Sequence, residues 1–362
     1  MSFASNYSFV ERALHRFAFS APMVQKALSE LESDLFKRQL EAIDSDREVF
    51  VTGLPRAGTT LMLELLYVTG EFETYTYRDM PFILAPLLWD AVSGRFRKAA
   101  TDRERAHGDG MLISFDSPEA FEEVVWLAYM ADHIVRDDRL ETVSASDITE
   151  EFSRAMIGSV RKVVARGRGR RQSSRQLRYV SKNNANISRI EALLELFPTA
   201  CVLVLFRDPL VQTSSLARQH SLFLAEHSQN AFSRQYMKWI GHYEFGTNLK
   251  PINFEGWLDR QEMPRVVDAT FWLKYWNAAY SHVLTHKTER VYLVDFDNLL
   301  QNGASVLERI SDVLCVGDKE ALVRGAETLR SATTRPVDVD SSLGDELDRA
   351  RDIHARLRSL AL

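Results

Sequence analysis

The chain has 362 residues, 45% hydrophobic and 26% charged, with 16 glycines and 10 prolines. Such a composition can bury a sizeable core and excludes disordered, collagen-like and repeat-tract proteins. A net charge of −5 recommends neither nucleic acid nor an anionic membrane as partner, so any anion site must be local. Two cysteines, Cys201 and Cys315, supply neither a disulfide framework nor a four-cysteine zinc site, which fits a reducing, cytoplasmic setting.

Apolar spacing over residues 8–42 predicts two helices broken at Ser20-Ala21-Pro22, an N-terminal helical cap covering 1–47. Glu11, Arg12, His15 and Arg16 interrupt this stretch, unlike a signal peptide. No later window approaches ~18 uninterrupted apolar residues, so no integral membrane segment is expected. A chain trimmed of a membrane anchor would read the same way.

Glu48–Thr52 reads as a short buried strand, followed by a Gly/Pro loop and a helix over Thr60–Val68. Further strands are predicted at 177–182, 201–206 and 291–296, with helices at 188–197, 209–219 and 305–313. This alternation predicts an α/β three-layer fold with a central parallel sheet. Residues 71–176, without sustained period-2 alternation, are expected to be a large helical insertion on the acceptor side of a cleft. A main domain over 48–335 and a C-terminal helical tail over 336–362 complete the expected organisation. From Arg161 to Arg178 the chain carries eight Lys or Arg and no acidic residue. A solvated mobile loop is the first reading, a clamp on an anionic acceptor the second.

Gly53-Leu54-Pro55-Arg56-Ala57-Gly58-Thr59-Thr60 joins a strand to a helix, where backbone N–H groups and the helix dipole converge on one point and favour an anion. The spacing matches the Walker A layout, but Thr59 stands where its lysine belongs and the cation has moved to Arg56. A second segment, Phe206-Arg207-Asp208-Pro209 running to Ser215, also leaves a buried strand and opens a helix. Its arginine, with Ser215 two turns on, can grip another phosphate.

Together the two segments resemble the 5′-phosphosulfate loop and the 3′-phosphate motif of sulfotransferases that use 3′-phosphoadenosine 5′-phosphosulfate (PAPS). GLPRAGTT is similar to that family's G-x-P-R-S-G-T-T, with Ala57 in place of serine. Arg207, Asp208-Pro209 and Ser215 follow its second motif, and VYLVDFDNLL over 291–300 resembles its late strand. The resemblance runs from about Val49 to about Arg335. It implies a P-loop NTPase-like fold, PAPS as co-substrate and a donor site at Leu54, Pro55, Arg56, Ala57, Gly58, Thr59, Thr60, Arg207 and Ser215. Lys182 sits where many members place a cofactor-side lysine, although the proline that often follows is missing. No G-x-x-G-x-x-K stretch occurs near the C-terminus, so Arg330 or Arg335 is the candidate for late contacts. Arginine rather than lysine in the loop points to the carbohydrate and tyrosyl-protein branch, hence to an oligosaccharide or glycolipid hydroxyl as acceptor. A homo-oligomer is left open.

Sulfuryl transfer needs charge stabilisation at the departing phosphate, assigned to Arg56 and the loop, and a base for the acceptor proton. His107, in a glycine-flanked loop, is the first choice. Glu122 and Glu123, expected to open a helix capped by Ser117 with Pro118 at its first position, are rivals, as are Asp79 and Asp109. The aromatic stripe Phe271, Trp272, Tyr275, Trp276, Tyr280 reads as core, and His220, His227 and His242 lack metal-site spacing, so no metal is expected. A P-loop small-molecule kinase is the alternative enzyme, disfavoured by the missing Walker lysine. A nucleotide-binding scaffold without chemistry is the alternative outside enzymes.

Overall fold

A computed structural model describes residues 9–20, 22–44, 46–93, 103–104, 112–113, 118–171, 176–259, 267–329 and 344–362. Its strands, in chain order, are β1 (Val49–Thr52), β2 (Phe72–Glu73), β3 (Arg103–Glu104), β4 (Leu112–Ile113), β5 (Arg178–Lys182), β6 (Cys201–Phe206) and β7 (Val291–Asp295). Five of them form one sheet in the order β2-β5-β1-β6-β7, with every pairing parallel. β3 and β4 make a separate antiparallel pair.

Buried strands in a parallel sheet are apolar on both faces because helices cover both. Along β1 and β6 the alternation is complete. Phe50, Val202 and Val204 enter one core with Trp126, Phe152, Leu193 and Trp276. Val49, Val51, Leu203 and Leu205 enter the other with Met62, Leu66, Leu307 and Ile310. Register aligns Val49 with both Val180 and Cys201, so the C-terminal ends of β5, β1 and β6 lie side by side. β1 is the strand from which the sheet is extended in both directions, the topological position where α/β sheets bind ligands.

The expected elements recur with four differences. First, residues 71–176 are not purely an insertion: Phe72 and Glu73 form the edge strand, pairing with Arg178 and Tyr179. Two residues leave no alternation to read. Second, the helix after β6 runs from Pro209 to Gln229, ten residues beyond the expected end.

Third, the basic run lies mostly in a helix, Glu150–Arg171. It is therefore not a loop there, and Lys162, Arg166, Arg170 and Arg171 have partners inside the protein. Arg166 is buried against Asp79 and Glu73. Burial opposes that charge, but the two carboxylates outweigh it and hold the guanidinium pKa above its ordinary range. Lys162 donates to the Ser29 carbonyl at 2.7 Å and faces Glu32, tying the N-terminal helix Pro22–Leu35 to this one. Arg170 pairs with Asp90, and Arg171 with Glu73.

Fourth, the helix expected to start at Pro118 begins at Glu123, and Pro118 instead bridges to Thr76. The C-terminal helix Gly344–Ser359 buries Ala350, Ile353 and Leu357, and Ala361 bridges to Leu293 of β7, so this tail joins the sheet's edge. Among the described residues no helix is long and apolar enough to cross a membrane.

Candidate functional site

Residues 53–60 leave β1 and turn into the helix Thr59–Tyr67. Gly53 (φ 145°) and Gly58 (φ 87°) take backbone angles that side chains rarely adopt, and a Cβ on either would collide with Leu205 O or the Phe296 ring. Arg56 is left-handed as well (φ 71°) without being glycine, a conformation that costs ~1 kcal/mol or more and persists only where surroundings impose it. Gln212 is one such constraint. Fully buried, it donates through Nε2 to the carbonyls of Leu54 (3.1 Å) and Pro55 (3.0 Å), while its Oε1 accepts from Trp276 Nε1 (3.0 Å). Gly58, the cap residue, has no side chain to accept from the first amides of the helix, so these amides face outward as anion donors.

Arg56 Nε donates to Ser215 Oγ at 3.1 Å. The loop after β1 and the helix after β6 thus meet at the two residues expected to serve opposite ends of one nucleotide. Arg207, buried at the end of β6, pairs through Nε with Asp297 at 3.0 Å and lies over the Phe296 ring. Asp208 caps the next helix, accepting from the amides of Leu210 and Val211. Arg207 does not line the two cavities beside the loop.

Arg56, Thr59, Thr60 and Lys182 line one cavity together with His242 and Glu244. A neighbouring cavity shares Pro55, Lys182, Asn184, His242 and Glu244 and adds Glu123, Lys250 and Tyr275. Asn184 connects the two sides of the cleft: Thr59 Oγ1 donates to its Oδ1 (3.1 Å), and its Nδ2 donates to Glu244 Oε1 (3.2 Å). Thr52 Oγ1 donates to the Asn183 carbonyl (2.8 Å), locking this segment onto the end of β1.

The carboxylates proposed from sequence sit differently. Glu122 is buried and accepts from Asn186 Nδ2 (2.8 Å), Tyr179 OH (3.0 Å) and Trp126 Nε1 (3.4 Å). Burial first and Glu122 second push the Tyr179 phenol well above its ordinary pKa, so it stays a donor. Glu123 reaches a cavity wall, but Arg189 holds it through two hydrogen bonds, 2.6 and 2.9 Å, and Asn183 donates a third at 2.8 Å. Asp79 is buried against Arg166 and accepts from Thr76 N at 2.7 Å. His107, Asp109, Arg330 and Arg335 lie outside the described residues.

Asn184, Gln212 and Glu244 were not singled out from the sequence, and His242 was weighed only as a metal ligand. Only the position of Asn184 two residues past Lys182, at a strand end, could have drawn attention to it. His242 and Glu244 follow a turn at Gly241 and belong to no periodic segment.

The sulfotransferase-family profile matches residues 48–254. Among solved structures, the chain is similar to the sulfotransferase STF9 from Mycobacterium avium, with 17% identity and a TM-score of 0.54 over 97% of this chain and 86% of that one. It is also similar to the sulfotransferase STF1 from Mycobacterium tuberculosis H37Rv, with 16% identity and a TM-score of 0.51 over 96% of this chain and 87% of that one. At these identities the likeness speaks to the fold. No curated protein matches the sequence.

Proposed function

Because the chain belongs to the sulfotransferase family, we propose that it moves the sulfuryl group of PAPS to a hydroxyl acceptor, a carbohydrate or glycolipid. The observation that carries this reading is one anion-binding corner: the helix start at Gly58, Arg56 held by Ser215, and Lys182, all at the adjoining ends of β1, β5 and β6. Helix-start amides without a side-chain cap, beside an arginine and a lysine, are the donor set that a phosphosulfate requires.

With the donor bound, attack by the acceptor oxygen on sulfur breaks the bridging S–O bond and leaves its electron pair on the phosphate oxygen. The loop amides, Arg56, Thr59 and Thr60 oppose that growing charge, a task that an arginine and fixed dipoles can perform without a metal. Leu54, Pro55 and Ala57 hold the loop's shape. Arg207 and Ser215 take the 3′-phosphate, and Arg335 is kept as a further contact there.

The acceptor proton needs a base that reaches the cleft. Glu244 is our choice among the described residues, because Asn184 ties it to Thr59 across the cavity. His107 stays its rival. Glu122 and Glu123 we assign to structure: Arg189 and Asn183 hold Glu123 through three hydrogen bonds, and three donors occupy Glu122. Lys250, Asn183 and Asn184 on the cavity wall suit an acceptor rich in hydroxyls.

Sulfur-labelled PAPS incubated with oligosaccharides, glycolipids, phenols and peptides tests the reading. Label on a carbohydrate or glycolipid is expected. Transfer only to phenols or peptides would overturn the acceptor class, and transfer to none would overturn the activity.

A further inference from the structure

Away from the two cavities, the end of the helix Ala269–Thr285 carries His282 and, at its C-cap, His286. Four residues apart, they share one helix face, and their ring centroids lie 4.2 Å apart. The turn at Phe254–Gly256 brings in Glu255, whose backbone is left-handed (φ 50°). Its Oε1 lies 2.8 Å from His282 Nδ1 and 3.2 Å from His286 Nε2. One ligand atom from each of the three residues falls within 4.8 Å of the other two.

We propose that Glu255, His282 and His286 form a binding site for a transition-metal dication of the zinc type. Tetrahedral zinc with bonds of ~2.0–2.2 Å spaces its ligand atoms by about 3.4 Å, so these three need only small side-chain shifts to take the ion, with water completing the set. Two imidazoles and one carboxylate form a donor set suited to zinc rather than to calcium or magnesium, which prefer oxygen. A further feature separates this cluster from a chance meeting of surface groups. Glu191 Oε1, from the helix Ile190–Leu196, lies 2.8 Å from His286 Nδ1. A carboxylate accepting the Nδ1–H hydrogen bond leaves the Nε2 lone pair facing the point where Glu255 and His282 converge, as outer carboxylates do for metal-bound histidines.

The ion would join two segments. One is the turn at 254–256, which leads into Trp257, a residue packed on Tyr275. The other is the helix whose Trp272 and Tyr275 line the cavity beside the donor loop. Zinc is therefore assigned to stiffening one wall of the acceptor cavity, independently of which donor or acceptor the enzyme uses.

The test takes the full chain, stripped with a chelator and desalted. Zinc titrated by calorimetry should bind with one equivalent and raise Tm, because a ligand selective for the folded state stabilises it. Cobalt in its place should give the visible absorption of a tetrahedral site. Glu255→Gln and Glu191→Gln change largely exposed side chains and should fold normally by circular dichroism. The first should abolish stoichiometric binding, as should His286→Gln, and the second should weaken it by ~10-fold or more. Absence of binding at zinc concentrations of about 100 μM would overturn the site. Binding left unchanged by both Glu255→Gln and His286→Gln would overturn it equally, by placing the metal elsewhere.

Discussion

Gln212 is the residue whose replacement most directly separates shape from charge at the donor loop. It is fully buried and, through one amide, satisfies two loop carbonyls and the Trp276 indole. Methionine keeps the volume but removes these three hydrogen bonds and a longer fourth from Tyr280 OH (3.4 Å), stranding the Leu54 and Pro55 carbonyls and the Trp276 N–H, while Tyr280 keeps its bond to the Leu205 carbonyl. At the lower end of the ~1–3 kcal/mol for each stranded buried group, the loss comes to about 3 kcal/mol. For a chain of this size each kcal/mol moves Tm by ~2 °C, so Gln212→Met should melt about 6 °C lower. The loop whose positive-φ residues Gln212 holds in place should also relax, and affinity for 3′-phosphoadenosine 5′-phosphate (PAP) should fall by ~10-fold, equivalent to 1.4 kcal/mol. Gln212→Glu should be worse on both counts, because a carboxylate donates nothing to the two carbonyls it faces. Differential scanning calorimetry and isothermal titration with PAP provide the two readouts. Wild-type Tm and wild-type PAP affinity in Gln212→Met would refute the claim that this side chain preorganises the loop.

Arg56→Ala should fold normally but lose ~10²–10³-fold in kcat, the range for removing one donor aimed at developing charge; normal turnover at saturating donor would remove Arg56 from that role. Glu244→Gln should retain PAP affinity and lose transfer to the acceptor, since a base acts in the transition state, whereas retained activity there together with its loss in His107→Ala would move the base to His107. His227 and His220 both have their pKa lowered, chiefly by burial, and each accepts a backbone N–H at Nδ1, from Thr247 and Gly246 respectively. A histidine whose folded pKa is depressed contributes stability that is present above its unfolded value of ~6.5 and lost as pH falls through the folded value. The Tm advantage of the wild type over His227→Gln should therefore shrink between pH 7.5 and 5.5, and an advantage that grew on acidification would reverse the sign of this argument.

The sheet was legible because four of its five strands stand between turn signals, three of them as apolar runs, and the donor loop because Gly53, Gly58 and Arg56 occupy a spacing suited to a strand-loop-helix turn. What stayed hidden depended on residues far apart in sequence. The basic run looked solvated because Asp79 and Glu73, which bury Arg166, stand about ninety residues earlier. Arg56 and Ser215 could each be nominated alone, but their hydrogen bond spans 159 positions. Glu122 and Glu123 carried the signature of a helix start, and the structure places them near one. Their partners Tyr179, Asn186 and Arg189 come from β5 and the turn after it, which no local pattern announces. The histidines set aside as lacking metal spacing were His220, His227 and His242. The pair His282 and His286 was passed over inside an aromatic helix, and only the fold brings Glu255 to it.

The most direct test of the donor assignment is a calorimetric comparison of PAP, AMP and ATP with Mg²⁺ on the wild type and on Arg207→Ala. The account predicts that the wild type binds PAP at least ~100-fold more tightly than AMP, about 2.7 kcal/mol for the 3′-phosphate. Arg207→Ala should erase most of that difference while leaving AMP binding nearly unchanged. Equal affinity for PAP and AMP, or a preference for ATP with Mg²⁺, would contradict it.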